Sequence, residues 1–556
     1  MPSGATAAPS RSIDWLIWPG KARPADPLGA SFHPTALHSL DVAACLFVLL
    51  EDSPNRLRRL ATCLGISDDE TLRRLVAASA LHDIGKFSAS FLARLPETVA
   101  PWRPPAMGSA PHWMLSYAQL ERLDARVPAL RVLGKTDRER QALYLCASGH
   151  HGRPVYDGAT PAHSAIGPEG EEAAAGFAAC AMDMLAGLAG GTRAAEADPE
   201  GVKRATWAIA GLMTQADWLG SDHGSFPYAD PYRTPGLGGD ASTILARYYQ
   251  EIALPRARKA VRSSGLLAKC PSATTGMRAL YPEIEHPSPL QVMAESVELP
   301  DGPVLAVIEE TTGAGKTEGG TTLAHRMMVA GRGEGIFNGL PTQATSNAMF
   351  GRMRRSYRRL FAEDATRGAP TLALAHLGAG ISDAFQEIIL PAGAPEAEGE
   401  DGAASCTAFI ADSRRKCFMA DIGVGTIDQS LFGVLPVKFQ ALRLASLAAR
   451  ILIVDEAHAY DAYMGEELKQ LLTFHASLGG SAIVMSATLT QDQRAGLVRA
   501  FQDGLRAARP RRLGAARASG SDLFGIPAHD GRRHEPLRGA PGEKRCGQAL
   551  CGCSYT

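Results

Sequence analysis

The sequence predicts a multidomain chain: an all-α N-terminal domain, an α/β lobe on a parallel sheet, and a disordered C-terminal tail. Three observations carry this. The chain has 556 residues, 45% hydrophobic and 21% charged, which is too long for one compact core and ordinary for globular protein. Apolar residues recur at three- and four-residue spacing through the N-terminal part, whereas later in the chain short β-branched runs alternate with helical stretches. The residues from Gly504 to Thr556 show no apolar periodicity and are rich in Gly and Arg, a composition that cannot bury a core.

Helical spacing covers residues 34–50, 72–87, 141–148 and 205–219, and no strand is expected before the end of this region. Residues 222–240 are rich in Gly, Pro and Asp and mark a boundary, after which a helical connector follows. Strands are expected at residues 304–308, 335–338, 371–375, 451–454 and 482–485, with helices between them and on both faces of the sheet. Residues 391–405 are acidic and small and read as a disordered loop. The expected units are therefore 1–235, a linker at 236–270, a lobe at 271–503 and a tail at 504–556.

Lys and Arg number 57 against 58 Asp and Glu, a net charge of −1. Bulk charge thus recruits neither nucleic acid nor membrane, and any DNA site must be a local basic surface. No apolar run approaches the ~20 residues that span a bilayer. The N-terminus lacks a basic stretch followed by an apolar one. Ten cysteines without a CxxC pair make no disulfide framework. These bounds fit a cytoplasmic protein with no membrane partner.

The run VIEETTGAGKTEGG, residues 307–320, follows an apolar strand and opens a helix. In such a loop Thr312, Gly313, Ala314 and Gly315 present backbone N–H groups to phosphate. Lys316 reaches the β/γ-phosphates and Thr317 offers its hydroxyl to Mg²⁺. Glu310 stands where the strict motif has glycine, so this match is not sufficient alone. The strand ILIV at 451–454 ends in Asp-Glu-Ala-His, with Asp455 placed to hold Mg²⁺ through water and Glu456 to position an attacking water. Ser486, Ala487 and Thr488 close the next strand, which puts all three motifs on one crevice edge.

These residues resemble the first RecA-like lobe of a superfamily-two DEAD/H-type helicase. The resemblance implies ATP and Mg as cofactors, and Gln291, in the stretch 287–291, as an adenine contact. It also implies Pro341, Thr342 and Gln343 as contacts to the nucleic-acid backbone, and Thr426, within residues 424–429, as a further strand-binding residue. That last stretch together with DEAHAYDAYM at 455–464 is similar to the CRISPR-associated helicase–nuclease family of type I systems, most like the type I-E branch.

Residues 81–86, Leu-His-Asp-Ile-Gly-Lys, carry the His82-Asp83 doublet of the HD phosphohydrolase superfamily. Adjacent residues on a helix point about 100° apart, so His82 and Asp83 can serve neighbouring metals, or Asp83 can bridge two. The resemblance implies His38, His112, His150, His151 and Asp217 as the remaining ligands. An imidazole-rich shell suits two divalent transition metal ions (Fe, Mn, Co or Ni) better than Mg²⁺. Each residue also has a plain structural reading: His38 a core histidine, His112 a surface turn, His150-His151 a loop pair, Asp217 a cap or a partner of Lys86. Lys86 itself reads as a phosphate contact or a solvated charge. The catalytic set implied is Asp83, Lys86 and Glu456.

The family resemblance implies antiviral defence. In that family a crRNA-guided type I surveillance complex recruits the protein, the motor reels in the displaced single-stranded DNA from 3′ to 5′, and the HD endonuclease site cuts it, and the resemblance implies the same here. Guide pairing supplies sequence choice, so the nuclease need bind only backbone. Family members continue into a second RecA-like lobe, and too few residues follow Thr488 for one. The chain therefore reads as truncated after the first lobe, without the arginines that complete an ATP site. Translocation is not expected from it alone, and a separate chain supplying the second lobe, or a shifted reading frame in the tail, stays open. Two other readings stay open as well: an inactive remnant or binding module docking on the surveillance complex, and an HD phosphohydrolase of free nucleotides.

Overall fold

The computed structural model describes residues 14–22, 32–97, 99–100, 108, 110–152, 163–187, 195–364, 366–375, 389–390, 406–407, 416–435, 437, 439–508 and 549–551. Among the described residues the longer helices of the N-terminal part are α1 (Thr35–Glu51), α2 (Pro54–Leu64), α3 (Asp68–Ser79), α4 (His112–Arg126), α5 (Asp137–Ser148), α6 (Pro168–Gly187) and α7 (Pro199–Gly220). Helix α1 is apolar around nearly its whole circumference, and from Thr35 to Leu50 every residue but Phe47 is buried. It is accordingly the central helix, with α3 and α7 packed against it. Caps fix the surrounding helices. Ser67 Oγ accepts from the Glu70 N–H at 3.2 Å at the start of α3, and Thr136 and Glu139 form a reciprocal box at the start of α5.

Two features depart from expectation. A short antiparallel pair, β1 (Pro19–Ala22) and β2 (Phe32–Pro34), precedes α1, where no strand was expected. Strands of four and three residues are too short to show alternation, and each contains proline. The helix expected over 72–87 stops at Ser79, and the chain then turns before one 3₁₀ turn at Ile84–Lys86. The reason is at Gly85: a Cβ there would lie 2.0 Å from the His112 carbonyl oxygen, so the backbone bends tightly under α4. The His82-Asp83 doublet thus sits in a turn, and the 100° helical spacing does not describe it.

The connector is helical, α8 (Ala241–Arg247) and α9 (Leu254–Ser264) joined through a π-turn at Tyr248–Ala253. The Tyr248 hydroxyl donates to Asp41 of α1 at 2.9 Å. Beyond it lie α10 (Pro289–Ser296), β3 (Leu305–Glu309), α11 (Lys316–Val329), β4 (Ile336–Leu340), α12 (Gln343–Met353), β5 (Leu372–Ala375), β6 (Ile389–Leu390), β7 (Cys406–Thr407), β8 (Ile422–Thr426), α13 (Gln440–Ala448), β9 (Ile451–Val454), α14 (Ala462–Ser477), β10 (Ala482–Ser486), α15 (Gln491–Ala508) and β11 (Ala549–Cys551). The sheet is parallel, in the order β11-β3-β10-β9-β4-β8-β5. Its strands β4, β5, β8, β9 and β10 are buried throughout, as a sheet covered on both faces requires. Strand β8, Ile-Gly-Val-Gly-Thr, was not expected because its glycines mask the pattern. They are there for space, since a Cβ at Gly423 would lie 2.6 Å from the Phe337 ring and one at Gly425 would lie 2.3 Å from the Ala375 carbonyl oxygen.

Strand β11 pairs with β3 within the stretch expected to be disordered, and α15 runs to Ala508, past the expected boundary at 503. The rest of 509–556 and the loop 391–405 lie outside the described residues. Helix α13 lies across α7, and Gly211 allows the approach: a Cβ there would lie 2.3 Å from the Ala441 carbonyl oxygen. Nearby, buried Glu334 takes Arg56 at 2.7 Å and Arg59 at 3.0 Å from α2, with Arg450 of the lobe at 3.9 Å. No helix among the described residues is long and apolar enough to cross a membrane.

Candidate metal centre and nucleotide site

Seven side chains, from α1, the 82–83 turn, the start of α4, the end of α5 and its following loop, and α7, meet in one place. These are the seven ligands that the family resemblance implied. Asp83 is at the centre. Its Oδ1 faces His112 Nε2 at 3.3 Å and His150 Nε2 at 3.5 Å, while its Oδ2 faces His38 Nε2 at 3.4 Å and His82 Nε2 at 3.3 Å. Asp217 Oδ1 closes the second side, 3.6 Å from both His38 and His82. His151 closes the first, its Nε2 standing 2.9 Å from His112 Nε2. Two groups with no residue in common, His112–His150–His151 and His38–His82–Asp217, each have ligand atoms within 4.8 Å of one another.

The donor chemistry fits divalent ions. His82 Nδ1–H donates to the Ser79 carbonyl at 2.9 Å and His150 Nδ1–H to the Ala147 carbonyl at 2.8 Å. Each ring is thereby held in the tautomer whose Nε2 lone pair faces Asp83. His82 Nε2, both nitrogens of His38 and Asp83 Oδ1 are buried with no hydrogen-bond partner among the described residues. Acceptors converging in a buried space, unpartnered, are what a cation would satisfy.

The charges say the same. Burial, reinforced by Lys21, pulls His38 down to about 4. Burial takes His112 to about 3 and, together with His150, takes His151 to about 4. For His82 burial disfavours the charge, but Asp83 and Asp217 outweigh it and raise the ring to about 9. Both carboxylates stay well below their ordinary range against the pull of burial, Asp83 through Lys86 and His82, and Asp217 through His38 and His82. The cluster therefore keeps its carboxylates ionised and His38, His112 and His151 neutral, while His82 holds a proton that a bound cation would displace.

Lys86 is buried, not a solvated charge, and its Nζ lies 2.5 Å from Asp83 Oδ2. Sequence reasoning missed two residues. Lys21 Nζ donates to Ser221 Oγ at 2.6 Å, and Ser221 Oγ donates to Asp217 Oδ1 at 3.0 Å. Lys21 lies on the unexpected strand β1, and nothing in its local sequence marks it. Burial lowers it to about 8 although Asp217 opposes the shift.

In the lobe, the motifs sit where the crevice argument put them. Gly313 and Gly315 hold φ of 90° and 80°, the left-handed region that frees a phosphate loop to curl. Lys316 Nζ donates to the Glu310 carbonyl at 2.7 Å, within the loop that includes Thr312 and Ala314, and Thr317 follows on the first turn of α11. Asp455 and Glu456 follow β9. Glu456 adopts φ 52°, and its N–H donates to Asp455 Oδ1 at 2.9 Å. Burial and then Glu456 raise the Asp455 carboxyl. His458 joins Glu456 to the SAT segment, lying 3.2 Å from Glu456 Oε2 and 3.1 Å from Ser486 Oγ. The sheet order places the ends of β3, β10, β9, β4 and β8 side by side. Leu340 pairs with Thr426, so Pro341, Thr342 and Gln343 are neighbours of Thr426 along that edge. Thr342 is also the cap of α12, its Oγ1 accepting from the Thr345 N–H at 3.2 Å.

Gln291 is placed differently from an open adenine contact. It is buried, its Oε1 accepts from the Ser288 N–H at 2.9 Å, and its Nε2 is 3.5 Å from the Gly315 carbonyl oxygen. It caps α10 and braces the phosphate loop. A Cβ at Gly315 would lie 2.1 Å from that Nε2.

Residues 18–226 match the family model described as the HD domain of Cas3. Over 494 residues the chain is 33% identical to the CRISPR-associated endonuclease/helicase Cas3 of Thermus thermophilus, covering 85% of this chain and 50% of that protein. It is 36% identical over 286 residues to the Escherichia coli K12 protein of the same name, covering 51% of this chain and 30% of that one. The crystal structure of T. fusca Cas3 matches with a TM-score of 0.72 at 27% identity, over 91% of this chain and 53% of that chain. The chain spans about half the length of these relatives, or less.

Proposed function

Because this chain is a type I Cas3 HD-helicase over the span it shares with its relatives, we propose that it is a metal-dependent nuclease that cuts single-stranded DNA in CRISPR defence. One observation supports this above the others: the two oxygens of Asp83 face two separate histidine groups, as a carboxylate bridging a pair of cations would.

His38, His82 and Asp217 would hold one ion and His112, His150 and His151 the other, with Asp83 between them. The pair of ions, Fe, Mn, Co or Ni, supplies Lewis acidity and charge neutralisation for displacement at phosphorus. The protein supplies the rest. Ser79 and Ala147 carbonyls fix the ring tautomers, and the Lys21–Ser221 pair orients Asp217. Exposed His151 and partly exposed His112 mark the side from which the strand enters, opposite fully buried His38. Lys86, whose Nζ lies 2.5 Å from Asp83 Oδ2, would donate to a phosphate oxygen of the bound strand.

The second region binds ATP and Mg through Thr312 to Thr317, Asp455 and Glu456, with Glu456 placing a water at the γ-phosphate. Pro341, Thr342, Gln343 and Thr426 track the backbone of the strand, which a crRNA-guided surveillance complex exposes. The test is incubation of the protein with circular single-stranded DNA and Mn²⁺, Co²⁺ or Ni²⁺. Wild type is expected to cut and Asp83→Ala to be at least ~10²-fold slower. Equal cutting by both refutes the nuclease, and phosphate release from free nucleotides without DNA cleavage supports a phosphohydrolase instead.

A further inference from the structure

Two of the segments that carry candidate ligands are contacted from outside their own domain. Phe439, from the helicase lobe, sits against both of the ligand-bearing segments that come last in the N-terminal part. Its ring packs on Trp218, the residue after Asp217, with centroids 5.5 Å apart at 60°. Its backbone abuts Gly152, the residue after His151: a Cβ on Gly152 would lie 2.5 Å from Phe439 N and 2.6 Å from its Cα. Gly152 has φ 114°, so only glycine fits there on both grounds. The Gly152 carbonyl accepts from the Ala441 N–H at 3.0 Å, at the first turn of α13.

Phe439 itself is held at φ 63°, a left-handed conformation that strains a non-glycine residue of this size. It is 8% exposed. A residue buried at a strained φ is over-determined by its surroundings, and those surroundings include Trp218 and Gly152, each the residue after a candidate ligand. From the other side, the Thr214 hydroxyl on α7 donates to the His150 carbonyl at 2.9 Å. The His150–Gly152 segment is thus gripped between α7 and the lobe.

We infer that Phe439 is a positioning residue of the nuclease: the helicase lobe sets the spacing of His151 and Asp217, one ligand of each ion, and so decides whether the ion pair assembles. This rests on the two-ion reading above. Phe439 lies in the stretch between β8, which ends in Thr426, and α13.

The experiment is Mn²⁺ titration of the full chain, read by electron paramagnetic resonance, with wild type, Phe439→Asn, Phe439→Tyr and Phe439→Leu. Asparagine tolerates the left-handed φ and removes the ring, so it isolates packing from backbone strain. Wild type is expected to show the spectrum of an exchange-coupled Mn²⁺ pair. Phe439→Asn is expected to lose the coupled signal or to bind the pair at least ~10-fold more weakly. Phe439→Tyr, which keeps the ring, restores it, and Phe439→Leu falls between. Binding of a fluorescent ATP analogue stays as in wild type. A coupled signal of wild-type strength and affinity in Phe439→Asn and Phe439→Leu, even with a lower thermal midpoint, overturns the inference and leaves the two-ion reading intact. Absence of any coupled pair in wild type overturns both.

Discussion

The Nε2 atoms of His112 and His151 stand 2.9 Å apart, one ring at the start of α4 and the other in the turn that follows α5. A single N–H spans them, and a cation in its place would take both Nε2 lone pairs. His151→Ala removes a ligand from the exposed side alone. It is expected to weaken Mn²⁺ binding at one of two positions by at least ~10-fold. Calorimetric titration should show two unequal sites in the variant, and two wild-type sites would count against the assignment.

Lys86 is expected to act on substrate more than on metal. Lys86→Met should keep the bound-metal stoichiometry while slowing single-turnover cleavage ~10²–10³-fold, the range for losing one preorganised donor at a developing charge. A variant that cuts at the wild-type rate would show that the ammonium only neutralises Asp83.

Glu334 holds three arginines together across the two parts of the chain. Burial opposes its charge, and Arg56, Arg59 and Arg450 together depress its pKa. Glu334→Gln takes the shared counter-charge from half-buried Arg56 and Arg59, while Arg450 keeps Asp421, and is expected to cost about 3 kcal/mol, the low end for a broken buried pair. Denaturant unfolding followed by tryptophan fluorescence should register that loss, and an unchanged midpoint would mean water reaches the cluster.

His475 gives a pH dependence outside the metal centre. Its ring is fully buried, and Nε2–H donates to the Ser481 carbonyl at 2.9 Å. Burial lowers it to about 4, below the value of about 6.5 for an unfolded histidine. Its contribution is therefore present above about pH 6.5 and is lost as pH falls from there toward 4. About 2 kcal/mol should be gone by pH 5. Urea unfolding at pH 7.5 and 5.0 should show this difference shrinking in His475→Gln, and an equal loss in both proteins would refute it.

How much was legible follows from how local each signal is. Apolar strands ending in Gly-Lys-Thr, Asp-Glu-Ala-His and Ser-Ala-Thr carry their own context, so β3, β9 and β10 and their order could be read directly. Strand β8 could not, because Gly423 and Gly425 answer to Phe337 and Ala375, residues that only the folded sheet brings near. The seven ligands were recognisable as a family set, but their division around Asp83 was not, since it depends on the turn that Gly85 makes beneath α4. Lys21 and Phe439 lie far from any motif, and their roles exist only through Ser221, Trp218 and Gly152. Gln291 shows the reverse case: the motif was seen, and the fold uses its carboxamide to cap a helix and brace the phosphate loop.

The pairing of cations across Asp83 can be observed directly by anomalous diffraction at the manganese edge from crystals grown with Mn²⁺. Two peaks are expected, one among His112, His150 and His151, the other among His38, His82 and Asp217, with a carboxylate oxygen of Asp83 on each. A single peak, or peaks elsewhere with Asp83 still bound to Lys86 alone, would contradict the account.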